Sequence, residues 1–363
     1  MAKVERRLDG LTSMRFFACL AVVLYHYARD LTAGIPLING IVGLGFLGVS
    51  FFFVLSGFVL TAVYLPRSEN GVIDRKPFFL ARFARIYPVY LLGLAMSLLP
   101  FLKEPHGVGG AAAPIVLRLT LLSAWVPGFA LPLNPPSWTL SVEAFFYVLF
   151  PFILGPFLRS GRWVLWSLVG GSLAVGILVP FAVHLANPSE AGDSPFKQSY
   201  FLPPLHLGAF LLGIETGLIY LRGEIRPRLL QVAFMLSFAV LILTALSYRS
   251  LSIDVLHQHV LAIPFAVVIL WVAVNDQRLT VLKLPPLVFL GEVSYGIYIL
   301  QTPVLLLSLA ILNRIGWPPP TQSVKSQIFY LVLLGGLSAL SFKVLEVPAR
   351  RAIRGRGESG LVK

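Results

Sequence analysis

Arg15 and His26 lie eleven positions apart in LDGLTSMRFFACLAVVLYHYARD, residues 8–30. The stretch is otherwise apolar and long enough to cross a bilayer. At about 100° and 1.5 Å per residue, the two side chains share one helix face, about 16 Å apart along the axis. Ionisable groups in a lipid-spanning helix are costly unless they face protein or water. Two readings are open for the pair alone. Arg15 snorkels to an interface and His26 is a core histidine, or the two face a protein interior or a water-filled cavity.

Other candidates recur along the chain. Arg82 and Arg85 in RFARIYPVY are three apart and share a helix face, with Pro88 placed to kink it. They are topology anchors, or a grip for the phosphates of an anionic co-substrate, which the guanidinium fork suits. In PPSWTLSVEAFFYVLFP, residues 135–151, Ser137 is placed to cap the helix that follows. Glu143 falls six residues inside it, where a carboxylate needs a partner or water. Depth alone would set Glu143 opposite His26 and let it fix the imidazole tautomer. In FLGEVSYGIYILQTPVL, residues 289–305, Ser294, Tyr298 and Gln301 form a polar stripe at helical spacing, with Tyr295 beside it. His206 and Glu215 in the 203–221 span suit a polar cavity but read first as structural. His257 and His259 are two apart and do not share a helix face. Neither they nor His106 and His184 give a metal pattern, and no metal site is expected. Glu346, near the end, is placed to pair with a nearby arginine.

These residues must be positioned by helices in a bilayer. The chain has 363 residues, 57% hydrophobic and 12% charged, with a mean hydropathy of +0.82. That charged share is about half the soluble average. The expected class is all-α and polytopic. Ten spans are expected, at about 11–29, 41–64, 78–100, 138–158, 163–184, 203–221, 229–248, 256–274, 287–312 and 325–347. Residues 114–126, which contain Arg118, are expected to form a short re-entrant or interfacial piece. A net charge of +13 reflects topology rather than nucleic-acid binding. With ten spans, most of the Lys and Arg fall on one side, which the positive-inside rule makes cytoplasmic, together with both termini. The first span has no cleavage site after it and reads as a retained helix. One membrane domain, 1–348, is followed by a basic cytoplasmic tail, 349–363. The single cysteine, Cys19, excludes an intrachain disulfide and reads as packing.

Taken together, these segments resemble the membrane acyltransferase family called acyltransferase-3. The matching elements are LDGL before Arg15 and His26, the run Phe51, Phe52, Phe53, Ser56 and Gly57, and Arg82, Arg85 and Pro88. To these add Ser137, Trp138, Leu140 and Glu143, then Gly291, Ser294, Tyr295 and Tyr298, then Glu346 and Pro348. The resemblance implies O-acyl transfer, acetyl by default, from acyl-CoA as co-substrate to a hydroxyl of a carbohydrate or lipid-linked sugar, in the bacterial inner membrane. It implies no permanently bound cofactor. It makes His26 the base, with Arg15 on its helix and Glu143 assisting, and gives Arg82 and Arg85 to the CoA end. Ser137, Trp138, Ser294, Tyr295, Tyr298 and Gln301 become substrate-site candidates. The family often has histidine where this chain has Gln301, which cannot shuttle a proton. The chain is too short for the esterase-like domain fused to some members. A transporter or lipid-linked glycan flippase is the alternative reading; it lacks the expected inverted repeat.

Overall fold

The computed structural model describes residues 8–103, 110–186, 199–247 and 259–354. His106 and His257 lie outside them, as does the tail from 355 onward. The described part of each expected span falls on helix. In chain order the helices are α1 (Asp9–Tyr27), α2 (Pro36–Gly43), α3 (Gly48–Tyr64), α4 (Arg75–Leu102), α5 (Ala112–Leu119), α6 (Trp138–Arg159) and α7 (Arg162–Ala186). There follow α8 (Leu207–Arg222), α9 (Pro227–Ser247), α10 (Ala262–Asn275), α11 (Pro285–Arg314), α12 (Val324–Ser341) and α13 (Val347–Arg354). Among the described residues there is no strand, only an isolated bridge between Glu69 and Val72.

Among the described residues, eight helical segments are long and apolar enough to cross a membrane, one of them running through α2 and α3. The other two expected spans are occupied by α1, which carries Arg15 and His26, and by α10, with 14 described residues. At eight residues α5 rises only about 12 Å and cannot cross. The second expected span is interrupted. A 3₁₀ turn at Leu44–Leu47 separates α2 from α3, and there the backbone meets α1. A Cβ on Gly45 would lie 2.0 Å from the Ala21 carbonyl oxygen, and one on Gly48 2.6 Å from that of Ala18. Only glycine permits that approach. Pro88 does not break α4, which runs 28 residues through it.

Three helices frame the interior and run in one direction. Ser13 donates to the Leu282 carbonyl (2.5 Å), Cys19 to that of Ser294 (3.2 Å), and the Tyr27 and Thr302 hydroxyls pair at 2.8 Å. So α11 lies parallel to α1. The Tyr295 hydroxyl donates to the Ile86 carbonyl (2.6 Å) and Asn134 Nδ2 to that of Ile299 (3.0 Å), which brings α4 and the start of α6 alongside. Level with Tyr27, α11 has twelve residues still to run, so it passes the end of α1 by about 18 Å. A second layer packs α3 against α8, α8 against α7 and α10, and α9 against α10.

Candidate active site

Helical phase sorts the faces of α1. Within about 60° of His26 lie Leu11, Val22, Val23 and Cys19, exposed by 2% or less. On the opposite side Phe17 is 43% exposed. His26 therefore points inward, yet its side chain is exposed. The flanking residues confirm the direction. The Tyr25 ring packs on Phe46 (5.4 Å), and Tyr27 on Tyr330 (5.5 Å).

At the other end of that face is a charge cluster. Arg15 lies within electrostatic range of Arg85, Arg350, Glu143 and Glu346, and Glu143 within range of Arg85, Arg15 and Arg82. Arg15, Arg85 and Glu143 are each half-buried. Neither arginine closes on Glu143 as an ion pair within 4.0 Å. Arg82 is more tightly held: it donates to the Tyr64 hydroxyl at 3.3 Å, and its guanidinium lies 5.8 Å from the Tyr147 ring centroid. Tyr147 in turn lies beside Glu143. Four guanidiniums against two carboxylates leave positive charge in excess, which suits an anion.

The pairing of Glu143 with His26 suggested by depth is not formed: no hydrogen bond or ion pair joins them. Thr139, one turn before Glu143, meets the Tyr298 hydroxyl. The carboxylate falls a turn further along, among the arginines that attract it.

The remaining candidates are placed as follows. Ser137 does not cap α6. Its backbone is helical (φ −74°, ψ −4°), whereas a capping residue is extended. Its hydroxyl donates to the Asn134 carbonyl (2.6 Å) and accepts from Arg118. Trp138 is buried among Phe53, Tyr200, Phe201 and His206, its ring centroid 5.1–6.1 Å from theirs. Ser294 donates back to Gly291 (2.8 Å). Tyr298, against Phe52 at 6.1 Å, lies between the charge cluster and Tyr27. Gln301 is fully buried, donates to the Tyr298 carbonyl at 2.8 Å and leaves its Oε1 without a partner.

Spacing did not signal two features. Arg118, expected in a re-entrant or interfacial piece, is 0% exposed. It donates to Ser137 and to the Ala130 carbonyl (2.5 Å), and its own carbonyl accepts from Tyr90 (2.7 Å). Burial pulls its guanidinium down to about 10, so it stays charged at neutral pH while pinning loop 120–137. His206 stacks on His259 at 5.5 Å and donates from Nε2 to the Tyr200 carbonyl at 2.8 Å. This pair joins segments far apart in sequence. Among the described residues, no group of three or more His, Cys, Asp or Glu is placed to hold a metal.

Comparison with known proteins adds the family. The acyltransferase-3 model, described as an acyltransferase domain, matches residues 8–344. Acyltransferase MdmB of Streptomyces mycarofaciens is 35% identical over 253 residues, 64% of this chain and 63% of that protein. A putative peptidoglycan O-acetyltransferase, YrhL of Bacillus subtilis (strain 168), is 25% identical over 376 residues, 95% of this chain and 55% of that one. A putative O-acetyltransferase, SACOL0978 of Staphylococcus aureus (strain COL), is 24% identical over 82% of this chain and 50% of its own. The chain thus covers less than two thirds of each of these relatives. No solved structure matches. A family model spanning residues 8–344, over a helical bundle with an inward imidazole and an arginine cluster on one helix face, shows that this chain belongs to the acyltransferase-3 family.

Proposed function

We propose that the protein is a membrane O-acyltransferase that moves an acyl group, acetyl by default, from acyl-CoA to a hydroxyl of a glycan or glycolipid. The observation that carries this reading is the one face of α1. It presents Arg15 at one level and the open imidazole of His26 about 16 Å further along. The phosphates of CoA would be held at the arginine level, chiefly by Arg85, with Arg82 anchored behind it. The pantetheine arm would rise past Tyr298 and present the thioester to His26.

Chemistry then follows from the imidazole. An acceptor hydroxyl would reach the imidazole alongside α11. As its oxygen attacks the thioester carbonyl, its proton passes to His26. The tetrahedral intermediate collapses, the C–S bond breaks, and the thiolate takes the proton back from the imidazolium. The products are an ester and free CoA. Glu143 serves as counter-charge to Arg15 and Arg85 and keeps the cluster from repelling itself when the site is empty. In a covalent variant, His26 accepts the acyl group first. The chain sits in the bacterial plasma membrane with both termini cytoplasmic, which puts the arginines on the side where acyl-CoA is made.

His26→Ala tests the reading. Purified full-length protein in detergent is given radiolabelled acetyl-CoA and membrane glycolipid extract. The variant is expected to lose acyl transfer by at least about a thousandfold while still binding CoA, in line with removal of a general base. Transfer at the wild-type rate refutes the role.

A further inference from the structure

A cleft lies at the far end of α11. Leu309, Leu312, Asn313, Trp317 and Pro319 line a space of about 430 Å³, within the range of about 300–1,000 Å³ usual for small-molecule sites. The chain builds it with a helix stop. Gly316 takes the left-handed conformation, φ +70°. Its N–H donates to the Asn313 carbonyl (3.4 Å), and the Trp317 N–H to that of Leu312 (3.0 Å). This pair of bonds folds the residue after the glycine back onto the last helical turn, so the indole is set against Leu312. Lys325 braces it: its Nζ lies 3.7 Å from the Trp317 ring centroid, a cation–π contact. Lys325 does not itself line the cleft. Asn313 is exposed at the rim, and its side-chain amide has no hydrogen-bond partner among the described residues.

The cleft continues the face of α11 that packs on α1. Thr302 meets Tyr27, the last residue of α1. Leu309 and Asn313 are seven and eleven positions after Thr302, which keeps them within about 20° of it and places them about 10 and 16 Å further along. The cleft therefore lies past the end of α1, at the end that carries His26. Gln327, with its amide turned to donate, joins the Pro320 carbonyl (3.2 Å) to that of Tyr27 (3.0 Å). The loop that brings Trp317 and Pro319 over the cleft is thus tied to the residue next to His26.

We propose that this cleft binds a sugar of the acceptor other than the one that is acylated, so that the acceptor is an oligosaccharide rather than a single sugar. This rests on the transfer to a glycan proposed above. The apolar C–H face of a sugar ring lies flat on an indole, which presents a large rigid surface. The hydroxyls at its edge meet the Asn313 amide, which both donates and accepts. An aromatic ring, a few aliphatic side chains and one polar group make a site for a neutral amphipathic ring. The gap of about 10 Å between Thr302 and Leu309 is longer than one sugar ring, so the unit in the cleft is not the unit at the imidazole. Binding energy gained on this remote unit is available to the transition state.

The experiment measures acetyl transfer by purified full-length protein in detergent, from radiolabelled acetyl-CoA. The acceptors are sugars released from membrane glycolipid extract by mild acid and separated into single-sugar and oligosaccharide fractions. The wild type should show a kcat/KM about three- to tenfold higher on the oligosaccharides, the worth of one aromatic contact. Trp317→Ala should remove most of that advantage by raising the KM for oligosaccharides, with the KM for acetyl-CoA unmoved. Asn313→Ala should act the same way by a few-fold. Equal loss on both fractions, an unchanged KM in Trp317→Ala, or no length preference in the wild type each overturns the proposal. A loss seen with intact glycolipid and absent with released sugars gives the cleft to the lipid and overturns it as well. If Trp317→Ala does not survive purification, Trp317→Phe should lose part of the preference, and a full preference in it and in Asn313→Ala overturns the assignment. No transfer by the wild type to either fraction or to the intact extract would instead sink the glycan reading itself.

Discussion

Gly291→Ala adds one methyl group where α11 packs on α1, and its effect can be worked from one contact. A Cβ at Gly291 would lie 1.9 Å from the Thr12 carbonyl oxygen, 2.5 Å from its carbon and 3.0 Å from Thr12 Cγ2. Ordinary contact begins near 3.4 Å, so α1 and α11 must separate by about 1.5 Å. The obstacle is backbone, which cannot swing aside as a side chain would. Overpacking of this kind costs about 1–3 kcal/mol of stability. Arg15 is three residues after Thr12, so the displacement falls on the charge cluster and tilts the helix that carries His26. A misplacement of about 1 Å costs about a hundredfold in rate. The assay pairs a detergent melting curve with acetyl transfer. The control is Gly335→Ala, where a Cβ meets nothing within 4 Å; it should leave both readings unchanged. Wild-type melting and turnover in Gly291→Ala would refute the close packing of α1 on α11 and the argument built on it.

Arg118→Gln should destabilise the fold by about 3–5 kcal/mol, because it strips a buried charge-assisted donor from Ser137 and from the Ala130 carbonyl. The melting temperature reads this, and an unchanged value would contradict the pinning role. Glu215 points the other way. Both its oxygens are buried without a hydrogen-bond partner, so Glu215→Leu should be neutral or stabilising by about 1–4 kcal/mol. A large loss in the melting curve would show that the carboxylate has work the geometry does not reveal.

How much of this was legible differs residue by residue. Hydropathy placed the helices, because a spanning segment must satisfy its own backbone in lipid and so advertises itself locally. Helical period put Arg15 and His26 on one face, and the structure keeps them there. Glu346 was expected to pair with an arginine, and does, accepting from Arg350 at 2.8 Å, but the π turn at Phe342–Glu346 that carries it has no signal in VLEVP. Ser137 had the right type for a cap and the wrong backbone angles. Arg118 looked like any outer arginine, since burial depends on which loop folds over it. The stacking of His206 on His259 required two segments more than 50 positions apart to meet.

The sequence by itself determined that this chain is a helical membrane bundle and which residues share a helix face, because these follow from composition, period and local spacing; its motifs carry the resemblance to the family, which the family model shows. Tertiary structure alone decided that Glu143 stands among the arginines rather than at the imidazole. It alone also decided that Arg350 joins the cluster. The reason is that charge balance and open space are properties of several helices at once. They depend on axial offsets set by glycine-sized contacts such as Gly48 on Ala18 and Gly291 on Thr12, and no single segment encodes them.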